Sequence, residues 1–284
     1  MEHHRDDIRL DLRCRGDLVK ADPMPSRAAP RPVKPGLSPS NRSLERGIAL
    51  LQAFRPGSTL LGNADLAERT GLSKSTVSRL TQTLVGAGFL QVDTVTRAYR
   101  LAPATLSLAH AMRAGSDILN TALPLMRTTA QSHRINVGLA APDLDEMVYL
   151  ESIRYNPRPS LRSVVSGQRV PMETTSLGLA YLAQAREPQR SNLMEHLARK
   201  HAQHWPAIAR ELDRAQASIA EKGWCAASWQ AGVVALSCPI RFQDLDYALN
   251  VSLTIAEDKD AVMERLARIL LELHAQVQRA LALR

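Results

Sequence analysis

The sequence predicts an α+β chain with two folded units. A small three-helix unit with a β-hairpin precedes a larger antiparallel sheet flanked by helices. Three observations predict this. Between residues 41 and 102, three short runs carry apolar residues at helical spacing, and two strand-like stretches around a turn follow them. From residue 135 the pattern changes to alternating or wholly apolar runs of strand length. The 284 residues are 45% hydrophobic and 23% charged, enough for a real core, which excludes a disordered chain.

Residues 1–40 stand apart. They hold six of the 16 prolines, with eight basic and six acidic residues, and predict an extended or disordered tail. The opening stretch mixes His, Arg and Asp and lacks the apolar centre of a signal peptide. No apolar run approaches 18 residues, so no membrane span is expected. Cys14, Cys225 and Cys238 are too few and too scattered for a disulfide framework, and a reduced cytoplasmic setting fits best.

The first helix is expected over Asn41–Phe54, with Leu44, Ile48, Leu51 and Phe54 on one face and Leu50 beside them. Pro56-Gly57 stops it. Asn63 can cap a second helix over Ala64–Arg69, and Gly71 supplies the turn after it. Ser73 caps a third helix with Val77, Leu80 and Leu84 buried, ending near Gly86 and Gly88. Phe89–Val92 and Arg97–Leu101 read as strands around an Asp93–Thr96 turn. The result is a helix-turn-helix with a two-stranded wing.

The outward face of the third helix offers Ser73, Lys74, Ser75, Thr76, Ser78 and Arg79. A major groove admits one helix, and such groups reach base edges or flanking phosphates. Arg97 is placed for a phosphate or the minor groove. Ser73 is a cap under any function, and Lys74 or Arg79 alone equally suits an ordinary surface cation. The combined geometry carries the DNA reading. Charge agrees with it: residues 41–110 hold eight basic against four acidic residues, while 111–284 hold 20 against 18. With only 4% aromatics, a surface made mainly of stacked rings is excluded.

A helix over Pro103–Met112, with Leu106, Leu108 and Ala109 as apolar positions, is interrupted at Gly115. Ser116–His133 forms another, with a broad apolar surface that includes Ile118, Ala122 and Met126. This helical stretch can carry subunit contacts, and DNA readers often work as dimers. Strands follow at Ile135–Ala141, Glu146–Ile153 and Leu161–Val165, with a bend at Gly167. Helices are expected over Met172–Ala185, Glu187–Lys200 and Pro206–Glu221. Strand-like segments at Trp224–Ser228, Val233–Ile240 and Tyr247–Ile255 precede a closing helix over Asp258–Ala282.

Catalysis finds no support. Cys225, Cys238, Ser237 and eight histidines are present, but no G-x-S-x-G, C-x-x-C or H-E-x-x-H pattern organises them. His201 and His204 can share a helix face, yet a solvated helix end explains them better than a metal. No cofactor and no metal are expected.

At this point the sequence resembles an IclR-type bacterial transcriptional regulator over roughly residues 41–284. Four ordered blocks carry the resemblance. The first is Asn41-Arg-Ser-Leu-Glu-Arg-Gly-Ile-Ala-Leu-Leu, continued by Asp65–Leu80. Gly86-Ala-Gly-Phe-Leu90 with Tyr99-Arg-Leu101 is the second. Gly167–Gly178 is the third, and Lys222-Gly-Trp with Gly232–Ile240 the fourth. The resemblance implies a winged helix-turn-helix over residues 41–102, a helical linker over 103–115, and a GAF-like effector-binding and oligomerisation domain over 116–284. It implies operator double-stranded DNA, a homodimer or dimer of dimers, and a small-molecule effector, an organic acid or aromatic metabolite.

The same resemblance places an effector site among Gly167, Thr174, Thr175, Ala227, Ser228, Ala235, Asn250 and Ser252. Thr174 as a plain helix cap, or Asn250 as a satisfied core amide, remains an alternative. Three departures point to altered pocket chemistry. Glu173 replaces the usual His, Cys-Ala-Ala-Ser-Trp-Gln follows Trp224 in place of an acidic cluster, and Leu253 follows Ser252 where Gly is common. Trp224 and Trp229 suit either an aromatic effector or the core. A ligand-independent architectural DNA binder, with the back domain serving only oligomerisation, is the competing expectation.

Overall fold

The computed structural model describes residues 41–155, 165–227, 232–254 and 259–284. The 1–40 tail, most of the strand expected over Leu161–Val165, and Ser228 and Trp229 lie outside the described residues.

The front unit contains α1 (Arg42–Gln52), α2 (Asn63–Thr70), α3 (Lys74–Gly86) and the antiparallel hairpin of β1 (Leu90–Asp93) and β2 (Ala98–Leu101). Its core is Leu50, Ala53, Phe54, Leu61, Leu66, Val77 and Leu90. Asn41 caps α1 by accepting from the Ser43 and Leu44 amides, each at 3.1 Å. The buried stripe of α1 differs from expectation. Leu44 is 63% and Ile48 46% exposed, while Leu50 and Phe54 are buried in the core and Leu51 packs against it. Leu44 and Leu50 lie about 120° apart around a helix of 3.6 residues per turn, and only the Leu50 side joins the core it shares with Val77 of α3. The cap of α2 also moves. It is Gly62, whose amide donates to Asp65 Oδ2 at 2.8 Å, and Asn63 is already helical. Gly71, at φ +66°, makes the tight turn into α3 that a side chain would strain.

Two helices lead onward, α4 (Ala104–Ala114) and α5 (Asp117–His133). Ser116 caps α5, accepting from the Leu119 amide at 3.4 Å, so the helical path breaks at Gly115-Ser116. No residue of α4 is buried, and Leu106, Leu108 and Met112 are all exposed.

The back unit is a six-stranded antiparallel sheet in the order β5-β4-β3-β8-β7-β6. Its strands are β3 (Asn136–Asp143), β4 (Glu146–Ile153), β5 (Arg169–Pro171), β6 (Cys225–Ala226), β7 (Val233–Phe242) and β8 (Leu245–Thr254). Alternation gives the sheet two faces. Val137, Leu139, Leu236, Leu249 and Val251 pack against α5 and α9 (Lys259–Ala282). Ala140, Met147, Tyr149 and Ala248 pack against α6 (Ser176–Gln184), α7 (Gln189–Lys200) and α8 (Trp205–Lys222). The three-residue β5 is not foreseen from sequence, where Gly167 suggests only a bend. The helix expected from Met172 begins at Ser176 instead. Thr175 ends the preceding turn by accepting from the Gly178 amide at 3.3 Å.

Candidate functional site

The first candidate surface is the start of α3 with the wing. Ser73 is extended (φ −64°, ψ 146°), and its Oγ accepts from the Thr76 amide at 3.3 Å. The same oxygen lies 3.1 Å from Ser75 Oγ and 2.9 Å from Thr76 Oγ1. Three hydroxyls therefore organise one another at the helix start. Val77 and Thr81 are buried on the opposite side, with Thr81 Oγ1 donating to Val77 O at 2.9 Å. This turns Lys74, Ser75 and Arg79 fully outward and leaves Thr76 and Ser78 half-buried. Ser73→Ala removes the cap and should cost about 1 kcal/mol, read as a lower urea midpoint for the head.

The wing tip is set by Asp93, whose Oδ1 accepts from the Thr96 amide and hydroxyl, both at 2.9 Å, and from the Val95 amide at 3.2 Å. Those Thr96 hydrogen bonds hold its carboxyl below the usual range, with the Arg100 charge adding to them. Arg100 pairs with Asp93. Arg97 sits at φ +55° on the tip and is exposed. Lys74, Arg79 and Arg97 hold no ion pair among the described residues.

The second candidate surface is the α6 side of the sheet. Asn250 stands opposite Gly138 on β3 and Ser237 on β7, and Ser252 stands opposite Asn136 and Ala235. Ala235, Asn250 and Ser252 therefore share one face. The start of α6 covers it: Ser237 Oγ donates to Ser176 Oγ at 2.8 Å, and Cys225 Sγ lies 3.5 Å from Ser176 O. Ala227 joins through its amide, which donates to Ala235 O at 3.2 Å. Thr175 is buried, and its hydroxyl donates to Pro171 O at 2.6 Å. Gly167 and Thr174 are exposed, and Gly167 donates its amide to Tyr149 O at 2.8 Å. Ser228 lies outside the described residues.

Gly138 makes room at the centre of this face. A Cβ there would sit 2.4 Å from Asn250 Oδ1 and 2.6 Å from Tyr149 Cε1. Burial pushes the Tyr149 hydroxyl well above the ordinary tyrosine value, against the pull of the nearby Asn250 amide and the Arg154 charge. Asn250 is 5% exposed and its Oδ1 has no hydrogen-bond partner. Leaving such an acceptor bare costs about 1–3 kcal/mol. Sequence reasoning missed Gly138, Tyr149, Ser176 and Ser237 as parts of this face. Ser237 left a signal, as the hydroxyl between Leu236 and Cys238 in an otherwise apolar strand.

Other side chains fall on the structural side. Trp224 packs against the α5/α9 core and Trp205 against the α6–α8 core. Cys225 and Cys238 are free and buried, and burial pushes the Cys225 thiol up to about 12, which denies it thiolate character. His201 departs from a solvated helix end. It is half-buried past the end of α7, with Nε2 3.0 Å from Oε1 of the buried Glu173 but without hydrogen-bond geometry. No group of three metal-ligating side chains forms among the described residues, and no described helix is long and apolar enough to cross a membrane.

With this geometry in place, comparison with known families decides what the fold belongs to. The IclR helix-turn-helix model matches residues 43–94, and the model of the C-terminal region of IclR bacterial transcriptional regulators matches residues 110–279. The chain belongs to the IclR family. An IclR-family regulator from Brucella abortus has a similar crystal structure, with 30% identity and a TM-score of 0.75, covering 87% of this chain and 96% of that one. The HTH-type transcriptional regulator TsaQ1/TsaQ2 of Comamonas testosteroni is 34% identical over 177 residues, 61% of this chain. The alignment spans 62% of that relative's length. An IclR homologue from Microbacterium hydrocarbonoxydans, solved in complex with 4-hydroxybenzoate, shares the fold at 24% identity and a TM-score of 0.64, covering 85% of this chain and all of that one. The IclR models and relatives are transcriptional regulators, not enzymes.

Proposed function

We propose that this IclR-family chain is an operator-binding repressor whose DNA affinity is set by a small organic acid or aromatic metabolite on the α6 side of the sheet. The observation that carries the DNA half is the exposure of Lys74, Arg79 and Arg97, three cations on one capped helix and its wing. Ser75, Thr76 and Ser78 would read base edges between them, and Ser73 would hold the helix start. The Asn250 Oδ1, without a hydrogen-bond partner on a residue only 5% exposed, supports the effector half. Ala235 and Ser252 share its face, and Gly167, Thr174, Thr175 and Ala227 would complete the site, with Ser228 of the same set outside the described residues. An aromatic acid suits a face that pairs an amide with the Tyr149 ring, and the Microbacterium homologue holds such a compound.

A homodimer, or a pair of dimers, would bring two heads onto one operator. The exposed stripe of Leu44 and Ile48 on α1, with Leu106, Leu108 and Met112 on α4, supports contact with a second copy. Coupling of about 1–3 kcal/mol between effector and DNA changes operator affinity about 5–150-fold.

One observation favours the ligand-independent alternative: the Tyr149 ring fills the space that Gly138 leaves. A titration separates the two readings. Purified protein on its captured operator fragments is challenged with aromatic and aliphatic carboxylates, 4-hydroxybenzoate among them. The regulatory reading expects one class to lower DNA affinity at least fivefold. Asn250→Ala should abolish that response and leave effector-free DNA binding unchanged. Identical DNA affinity across the panel overturns the effector half.

A further inference from the structure

We propose that Arg55, Glu146 and Arg169 form a latch that fixes the DNA-reading head against the sheet domain and ties its position to β5. The consequence for DNA rests on the regulatory reading above, but the latch does not.

Sequence places these residues far apart, and the fold stacks them. Arg55 leaves the end of α1 in a braced turn. The Ser58 amide donates to Arg55 O at 2.8 Å, and Arg69 of α2 donates to Ala53 O at 2.9 Å and to Ser58 Oγ at 2.8 Å. The Arg55 guanidinium meets the Glu146 carboxylate fork to fork, Nη1 to Oε1 at 2.9 Å and Nη2 to Oε2 at 3.0 Å. Glu146 opens β4 and is also held from behind, where Arg169 Nε donates to Oε2 at 2.6 Å. Arg169 then closes the β3–β4 turn, with Nη1 to Asp143 Oδ2 at 2.6 Å and Nη2 to Asp143 O at 3.1 Å. The side chains of Glu146 and Arg169 are only 16% and 14% exposed, and that of Arg55 33%. Bidentate, partly desolvated pairs of this kind are directional and less screened by salt than surface pairs.

Two further facts give the pair a task. Each apolar core draws on one unit alone: the front core ends at Tyr99, and the other two begin at Ile118 and Ala140. Among the described residues no apolar cluster holds the head to the sheet domain, so directional polar contacts must do so. The second fact is where Arg169 leads. It lies on the three-residue edge strand β5, and Pro171 at the end of that strand accepts the Thr175 hydroxyl. Thr175 caps α6, whose first residue, Ser176, bonds Ser237 beside Asn250. A shift of the α6 start would therefore pull on β5 and on the carboxylate that grips the head. A fork-to-fork pair is either made or broken, which supplies the two-state element that coupling between sites requires.

The test uses the full chain with Cys14→Ser and spin labels at Gln82→Cys on α3 and Glu264→Cys on α9, both exposed positions. Labelled protein is diluted into unlabelled protein, so that electron-electron distances report one chain. The latch expects one narrow distribution. Arg55→Met and Glu146→Gln should each broaden it, and the double variant should be no broader than the wider single. Arg169→Met should also broaden it, although the hydrogen bonds and ion pairs of Arg169 among the described residues go to Glu146 and Asp143, not to the head. Variants that melt cooperatively, keep native circular dichroism and show unchanged distributions overturn the latch. On captured operator DNA, Glu146→Gln should bind at least fivefold more weakly. Unchanged affinity alongside a broadened distribution overturns the link to DNA. If no specific operator exists, the regulatory reading fails, and the distance measurement still decides the latch.

Discussion

Gly178→Ala should destabilise the sheet domain by about 3 kcal/mol or more, the upper end of the usual penalty for overpacking a core. A Cβ at this position would sit 2.1 Å from Met172 Cα, 2.2 Å from Met172 O and 2.5 Å from Met172 C. All three are backbone atoms, and Met172 is fully buried. Relief requires moving α6 or the turn before it. The next helical residues, Leu179–Leu182, are all buried, so the helix has no free side to move toward. Urea unfolding reads the effect as a midpoint lowered by about 1 M or more, given a slope of about 1–3 kcal/mol/M. Gly47→Ala on α1 is the control. Nothing lies within 4 Å of its Cβ position, so the change should stabilise the head by about 0.5–1 kcal/mol through helix propensity. Equal stability of the Gly178→Ala protein and the parent would mean that α6 does not seat on Met172.

The second large effect concerns the head. Neutralising Lys74, Arg79 and Arg97 together to glutamine should weaken DNA binding about a hundredfold at physiological salt, at about 1 kcal/mol for each contact. The dependence of log affinity on log salt should flatten by about three per head. Arg100→Gln is the internal comparison. Arg100 is a cation of the same wing, but its charge is already committed to Asp93. It should change the salt slope far less. A triple variant that keeps both affinity and slope removes this face as the DNA contact.

The legible parts of the molecule were those set by near neighbours in the chain. The Ser73 cap, the left-handed Gly71 turn and the Glu146–Ile153 strand follow from residues within one helical turn or one alternation. The misplaced parts needed a distant partner. Whether Leu44 or Leu50 faces inward on α1 is decided by where α3 lies. The start of α6 slipped by four residues because Met172 and Leu177 continue a helical apolar pattern through a turn that only the Thr175–Pro171 contact ends. The candidate site divides the same way. Ala235, Asn250 and Ser252 fall on one face by alternation, whereas the pairing of Ser176 with Ser237 spans 61 residues and that of Arg55 with Glu146 spans 91. No local pattern encodes either.

The central claim, that the head reads a defined DNA sequence, is tested most directly by capturing genomic fragments with the purified chain and sequencing them at two salt concentrations. The account predicts a sharp pseudo-palindromic motif beside a few genes, retained at the higher salt, with two half-sites about one helical turn apart or a multiple of it. Diffuse capture that vanishes as salt rises would contradict it, because nonspecific phosphate attraction alone behaves in that way.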